Sequence, residues 1–198
     1  MKIDFKNKLG LRCLLPAAVI MLFLVMFILP FFSFPGYSIL KNTTSHLGAQ
    51  GAPHAWIMNM VFIFLGGAVV LEAWLGLRGY RFHQVILIIF GLGLIGVGLF
   101  RHAPLVEGVP VNLLADTMHS IFASTVGFSF ILFAVSAAFI ETTPNRRRVA
   151  LLTAAMATFL SALMFTAADY AGLWQRLMFI QAFGWLLSLT REPGLPPH

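Results

Sequence analysis

Apolar residues come in long unbroken runs along this chain, not in the narrow stripes of a soluble helix. Six runs stand out, at residues 12–33, 55–77, 85–100, 115–140, 149–168 and 172–190. Five are near twenty residues or longer and one is slightly shorter, and a helix that crosses a bilayer needs roughly 20. None alternates with a period of two, which excludes a barrel. Backbone groups in lipid must then be bonded within each segment, which predicts an all-α bundle of six transmembrane helices.

Composition agrees, with 59% hydrophobic and 10% charged residues, where a soluble domain carries about a quarter charged. No linker or repeat divides the chain, so residues 1–190 are expected to form one domain, followed by a flexible Pro-rich tail at 191–198. The opening "MKIDFKNKLGLR" resembles the basic start of a signal peptide, but no small-x-small cleavage site follows, so the first run reads as a retained helix. Cys13, the single cysteine, excludes a disulfide and reads as a packing residue.

Orientation follows from Lys and Arg in alternate loops. Lys2, Lys6, Lys8, Arg12, Arg78, Arg81, Arg146, Arg147, Arg148 and Arg191 lie on one side, against Lys41, Arg101 and Arg176 on the other, so both termini are expected in the cytoplasm. The net charge of +6 is explained by topogenesis and anionic headgroups. The basic residues are split among short segments, so membrane lipids are the expected partners, other membrane subunits are a further candidate, and nucleic acid is not.

Several motifs have a plain reading. "GLGLIG" at 91–96 matches a dinucleotide fingerprint in letters only, because no strand precedes it; Gly91, Gly93, Gly96 and Gly98 read as a thin helix surface for close packing. Asn42-Thr43-Thr44 is a formal glycosylation sequon. Glu72, the one acid well inside a run, is expected to pair with Arg78 or Arg81.

The other polar residues gather on the side expected to face out: Ser45, His46 and His54 before the second helix and Asn59 within it, Arg101 and His102 after the third, Asp116 and His119 opening the fourth, Asp169 after the fifth, and Gln175 and Arg176 opening the sixth. Asp116 sits where an N-cap is expected. Three residues apart on one face, it is also placed to orient His119.

Taken together, "SHLGA" at 45–49, Asn59 in "WIMNMVF", "GLGLIGVGLF" at 91–100, "MHSIFAS" at 118–124 and "GLWQRL" at 172–177 resemble the bacterial membrane family catalogued as domain of unknown function 998, over about residues 35–190. The resemblance implies a six-helix protein of the bacterial inner membrane and no particular activity. Ser45, Asn59, His119 and Arg176 match its recurring polar positions. Arg101-His102 and Gln175-Arg176 depart from the acids that the family often carries there, which weakens an acidic metal or cation site.

The leading expectation is an outward-facing polar pocket for a lipid headgroup or small anion. Arg101 and Arg176 would hold the charge, and Ser45, Asn59 and His119 would add hydrogen bonds. A second reading is an intramembrane hydrolase or transferase with His119 as base and Asp116 as orienter. A third is an accessory subunit of a larger complex, or a haem protein using two of His46, His54, His102 and His119. The leading reading needs no cofactor or metal, and whether the protein is an enzyme stays open.

Overall fold

The computed structural model describes residues 13–77, 79–141 and 143–190. The elements are α1 (Leu14–Ile28), continued by a 3-10 turn (Leu29–Phe32), a short α2 (Thr44–Leu47), α3 (Ala55–Gly76), α4 (Arg81–Leu99), α5 (Leu113–Ile140), α6 (Pro144–Thr166), a 3-10 turn (Ala168–Tyr170) and α7 (Ala171–Thr190). The described residues contain no strand. Five of these helices, α1 with its 3-10 extension, α3, α4, α5 and α6, are long and apolar enough to cross a membrane.

Long helices adjacent in sequence are neighbours in space, and the order α1, α3, α4, α5, α6, α7 closes into a ring through contacts between α7 and α1. α7 leans into that ring. Phe179 meets Phe62 of α3, Phe183 meets Phe90 of α4, and Trp185 meets Phe130 and Phe133 of α5, with ring centroids 5.9–6.4 Å apart. A helix face turned to protein tolerates polar residues that a lipid-facing one does not, which is why α7 can carry Gln175 and Arg176 on its buried face.

The glycines of α4 serve two neighbours. A Cβ on Gly91 or Gly98 would collide with α3 at Gly66 and at Asn59 and Ile63, whereas one on Gly93 or Gly96 would collide with Val126 or Phe122 of α5. Only a bare backbone allows both contacts at these distances, so the packing reading of "GLGLIG" holds.

Helix ends differ from expectation for local reasons. α4 begins at Arg81 because the Gln84 side chain donates to the Ala73 and Trp74 carbonyls and ties the two helix ends into one tight turn. α6 begins at Pro144 because the Thr143 hydroxyl accepts the Arg146 amide and proline suits a first helical position. The cap of α5 is Asn112, whose side chain accepts the Ala115 amide, so Asp116 lies a turn inside the helix and is not its N-cap. Cys13 is exposed and does not pack in the core. The expected tail at 191–198 and the expected partner Arg78 of Glu72 lie outside the described residues.

Candidate functional site

The segment from Ser33 to His54 folds back into one end of the bundle instead of lying over it. Asn42, Thr43, Thr44, Ser45, Leu47, Ala49 and Gln50 are all buried. Backbone that is mostly irregular and buried at this depth must find partners in the protein. The polar residues of the helices supply them.

Arg176 does the most. It is 2% exposed, and its guanidinium donates from Nε and Nη2 to the Met26 carbonyl (both 3.4 Å) and from Nη1 to the carbonyls of Ile39, Asn42 and Gly172 (2.7, 2.9 and 2.9 Å). Nη2 also donates to the Tyr37 hydroxyl at 2.8 Å, and that hydroxyl donates onward to the Asn42 and Thr43 carbonyls. Burial raises the Tyr37 pKa, against the opposing pull of the Arg176 charge and hydrogen bond. Every N–H of the guanidinium is thus engaged by the protein itself. No carboxylate pairs with it, since the described ion pairs are Lys41–Asp169 and Arg146–Glu141.

On the next position of α7, the Gln175 oxygen accepts both the amide and the hydroxyl of Thr44 at 2.7 Å. Asn59 of α3 donates to the Gly48 carbonyl at 3.1 Å. Gln50 bridges this folded-in 33–54 segment, a plug in the end of the bundle, to the α4–α5 loop, donating to the Arg101 and Asn112 carbonyls and accepting the Asn112 amide. Asn42 is tied to Ser38 and His46 and is buried, so the sequon is closed to a modifying enzyme.

Three histidines form the third side. The rings of His46 and His102 lie 4.9 Å apart, and those of His102 and His119 5.4 Å apart, both edge to face. His46 occupies the third position of α2 and its Nδ1 accepts the Thr43 amide, completing a reciprocal cap with the Thr43 side chain. That leaves Nδ1 bare and the proton on Nε2. Burial, then the neighbouring His102 and His119 rings and Arg176, lower the His46 pKa to about 4.

His119 is 4% exposed and its Nδ1 donates to the Phe100 carbonyl at 2.8 Å. Asp116 accepts the Ala103 amide at 2.6 Å instead. The carbonyl, not the acid, therefore sets the His119 tautomer. The edge-to-face rings leave no gap for a haem between them, and His54 is exposed in left-handed backbone (φ 55) at the start of α3. Among the described residues no three metal-ligating side chains are grouped to hold an ion.

Of the residues singled out from sequence, Asn59 and Arg176 bond the plug directly, His119 holds the Phe100 carbonyl beside it, and Arg101 is exposed at its rim. Tyr37, Thr44, Gln50 and Asn112 were missed. The Thr-x-x-His pattern of a capping box was the one local signal for the plug helix.

Ser45 has a different place. It lines a cavity of about 330 Å³ enclosed by α3, α4, α5, α6 and α7, together with Gln175 and a mainly apolar wall that includes Phe62, Leu94, Val126, Ile131, Met164 and Phe179. Phe128 of α5 and Phe165 of α6 also line it, yet remain 76% and 86% exposed, so its mouth lies on the lateral surface between those two helices. Gly127 is on its wall, with open space where a Cβ would sit.

No curated protein and no solved structure matches the chain. A family model described as a protein of unknown function, DUF998, matches residues 17–192, a span that takes in the plug, its struts and the chamber. The chain belongs to the DUF998 family.

Proposed function

We propose that this is a six-crossing protein of the bacterial plasma membrane, with both termini cytoplasmic, that binds a membrane amphiphile in the chamber between α5, α6 and α7. The sixth crossing is α7, whose Gln175 and Arg176 are buried inside the bundle. The chamber is the observation that supports the reading. At about 330 Å³ it falls at the lower end of the ~300–1,000 Å³ typical of small-molecule sites. Its mouth faces where acyl chains would lie, so a ligand would enter from the bilayer and not from water. A lipid headgroup at Arg176 is not part of this proposal, because the plug fills that site.

Native mass spectrometry of protein extracted in mild detergent tests it. An amphiphile at one per chain is expected, and Gly127→Leu, which projects into open space on the chamber wall, is expected to remove it while leaving Tm unchanged or higher. Equal lipid content in both proteins would sink the reading.

Topology is tested separately with Cys13 replaced. Glu107→Cys, in the exposed α4–α5 loop, is expected to react with an impermeant external thiol reagent in intact cells, and Asn145→Cys is not. The opposite pattern would reverse the orientation and leave the chamber as it is.

A further inference from the structure

The polar end of the chamber is made of donors that the protein itself does not use. The Gln175 side chain cannot be turned around, because its oxygen takes both the amide and the hydroxyl of Thr44 and a backbone N–H needs an acceptor there. Its NH2 group therefore points away from Thr44, and it has no protein partner. The Ser45 hydroxyl likewise donates to nothing in the protein. Both residues are more than nine-tenths buried, at 9% and 8% exposed, and both line the chamber.

Both donors open onto the cavity and are not sealed in the core, so an acceptor that fills it gains hydrogen bonds worth about 0.5–1.5 kcal/mol each. Water is a poor substitute, since an ordered water needs two to four polar partners and the rest of this wall is nearly all apolar. Beyond Ser45 and Gln175 its polar members are Ser124 and Ser161, and the Ser161 hydroxyl already meets the Met178 sulfur at 3.3 Å. Beside Gln175, the Arg176 guanidinium is buried with carbonyl dipoles around it and no carboxylate against it. Its field favours the oxygen end of a ligand over a cation.

We infer that the chamber takes a single apolar chain ending in a hydrogen-bond acceptor, a carboxylate or an ester carbonyl, whose oxygen is held by the Ser45 hydroxyl and the Gln175 amide. The size argues for one chain and not for a whole two-chain lipid, and the Gln175 NH2 group, which can only donate, together with the buried Arg176 charge beside it, argues against amine or ammonium heads. The inference rests on the reading that the chamber binds an amphiphile, and it adds the chemistry of the head.

Protein stripped of lipid and held in amphipol would be titrated with dodecanoic acid, methyl dodecanoate and dodecane, with bound probe counted by native mass spectrometry. Acid and ester are each expected to bind at least tenfold more tightly than the hydrocarbon. Ser45→Ala should shrink that ratio by about fivefold to tenfold, the equivalent of one lost hydrogen bond of about 1–1.4 kcal/mol. The Tm of the ligand-free protein should not fall, because that hydroxyl holds nothing in the protein.

Preference for the acid over the ester identifies a free fatty acid as the occupant, and the reverse identifies the acyl ester of a membrane lipid. Equal binding of all three probes, each blocked by Gly127→Leu, would overturn the head-group inference and leave the chamber reading standing. Binding of none, or binding that Gly127→Leu does not change, would overturn the chamber reading itself.

Discussion

Two polar clusters sit side by side at one end of this bundle and differ in what is left over. Around Arg176 every donor meets an acceptor: the Ile39 and Asn42 carbonyls and the Tyr37 hydroxyl of the buried, mostly irregular segment, and the Met26 and Gly172 carbonyls of α1 and α7. One residue away, Gln175 has its oxygen occupied and its NH2 group unmatched, beside an unmatched Ser45 hydroxyl and an apolar chamber. Arg176 has the higher charge and the more obvious chemistry, yet it is structural. In the proposed reading the binding site is marked by unfilled hydrogen-bonding capacity facing space, and not by the charged residue beside it.

The sharpest way to break the comparison is Arg176→Lys. An ammonium has three donors on a flexible stem and cannot reproduce a fork that reaches Met26, Ile39, Asn42, Gly172 and Tyr37 together. Several buried carbonyls lose partners at once, so the expected loss is on the order of 3 kcal/mol or more, read as a large fall in Tm in detergent. An unchanged Tm would mean that Arg176 is not holding the plug. Neutral behaviour here together with lost ligand binding would exchange the roles assigned to the two clusters.

A middle-sized effect is expected from pH. The His46 pKa is lowered from 6.5 to about 4, so between those values the unfolded chain carries a proton that the docked residue does not. The contribution of His46 is then fully present above about pH 6.5 and is lost as pH falls toward 4. Protonation at Nδ1 would also remove the acceptor for the Thr43 amide, and the new charge would face His102, His119 and Arg176. His46→Gln keeps an acceptor at the capping position and should flatten the dependence of Tm on pH through this window. A variant whose slope matches that of the native protein would show that another group carries the effect.

The smallest test concerns Asp116. Its oxygen accepts the Ala103 amide, a duty that an asparagine oxygen can also perform, so Asp116→Asn should shift stability by under about 0.5 kcal/mol. Asp116→Ala should cost about 1–2 kcal/mol by orphaning that amide. Neither should alter uptake of a chamber ligand. Loss of ligand in Asp116→Asn alone, at full stability, would restore the dyad with His119.

Much of this could be read along the chain, and the part that could not has one cause. Helix positions, the close approach of α4 to its neighbours and the concentration of polar residues at one end follow from run length, glycine spacing and residue type, all local quantities. The same local logic failed at Asp116, which stands where a cap is plausible but lies one turn too late, because Asn112 is better placed to accept the Ala115 amide. It failed at Arg176 because all its partners outside its own helix are 134 to 150 residues earlier in the chain.

The sequence by itself determined that this is an all-helical protein with helices fit to cross a membrane, since excluding water from twenty consecutive residues is a property of composition. Only the tertiary structure decided which polar residues are struts and which face a chamber. A hydrogen bond is counted between groups, and the groups that filled Arg176 and left Ser45 unfilled were brought together by the folding of a loop into the bundle.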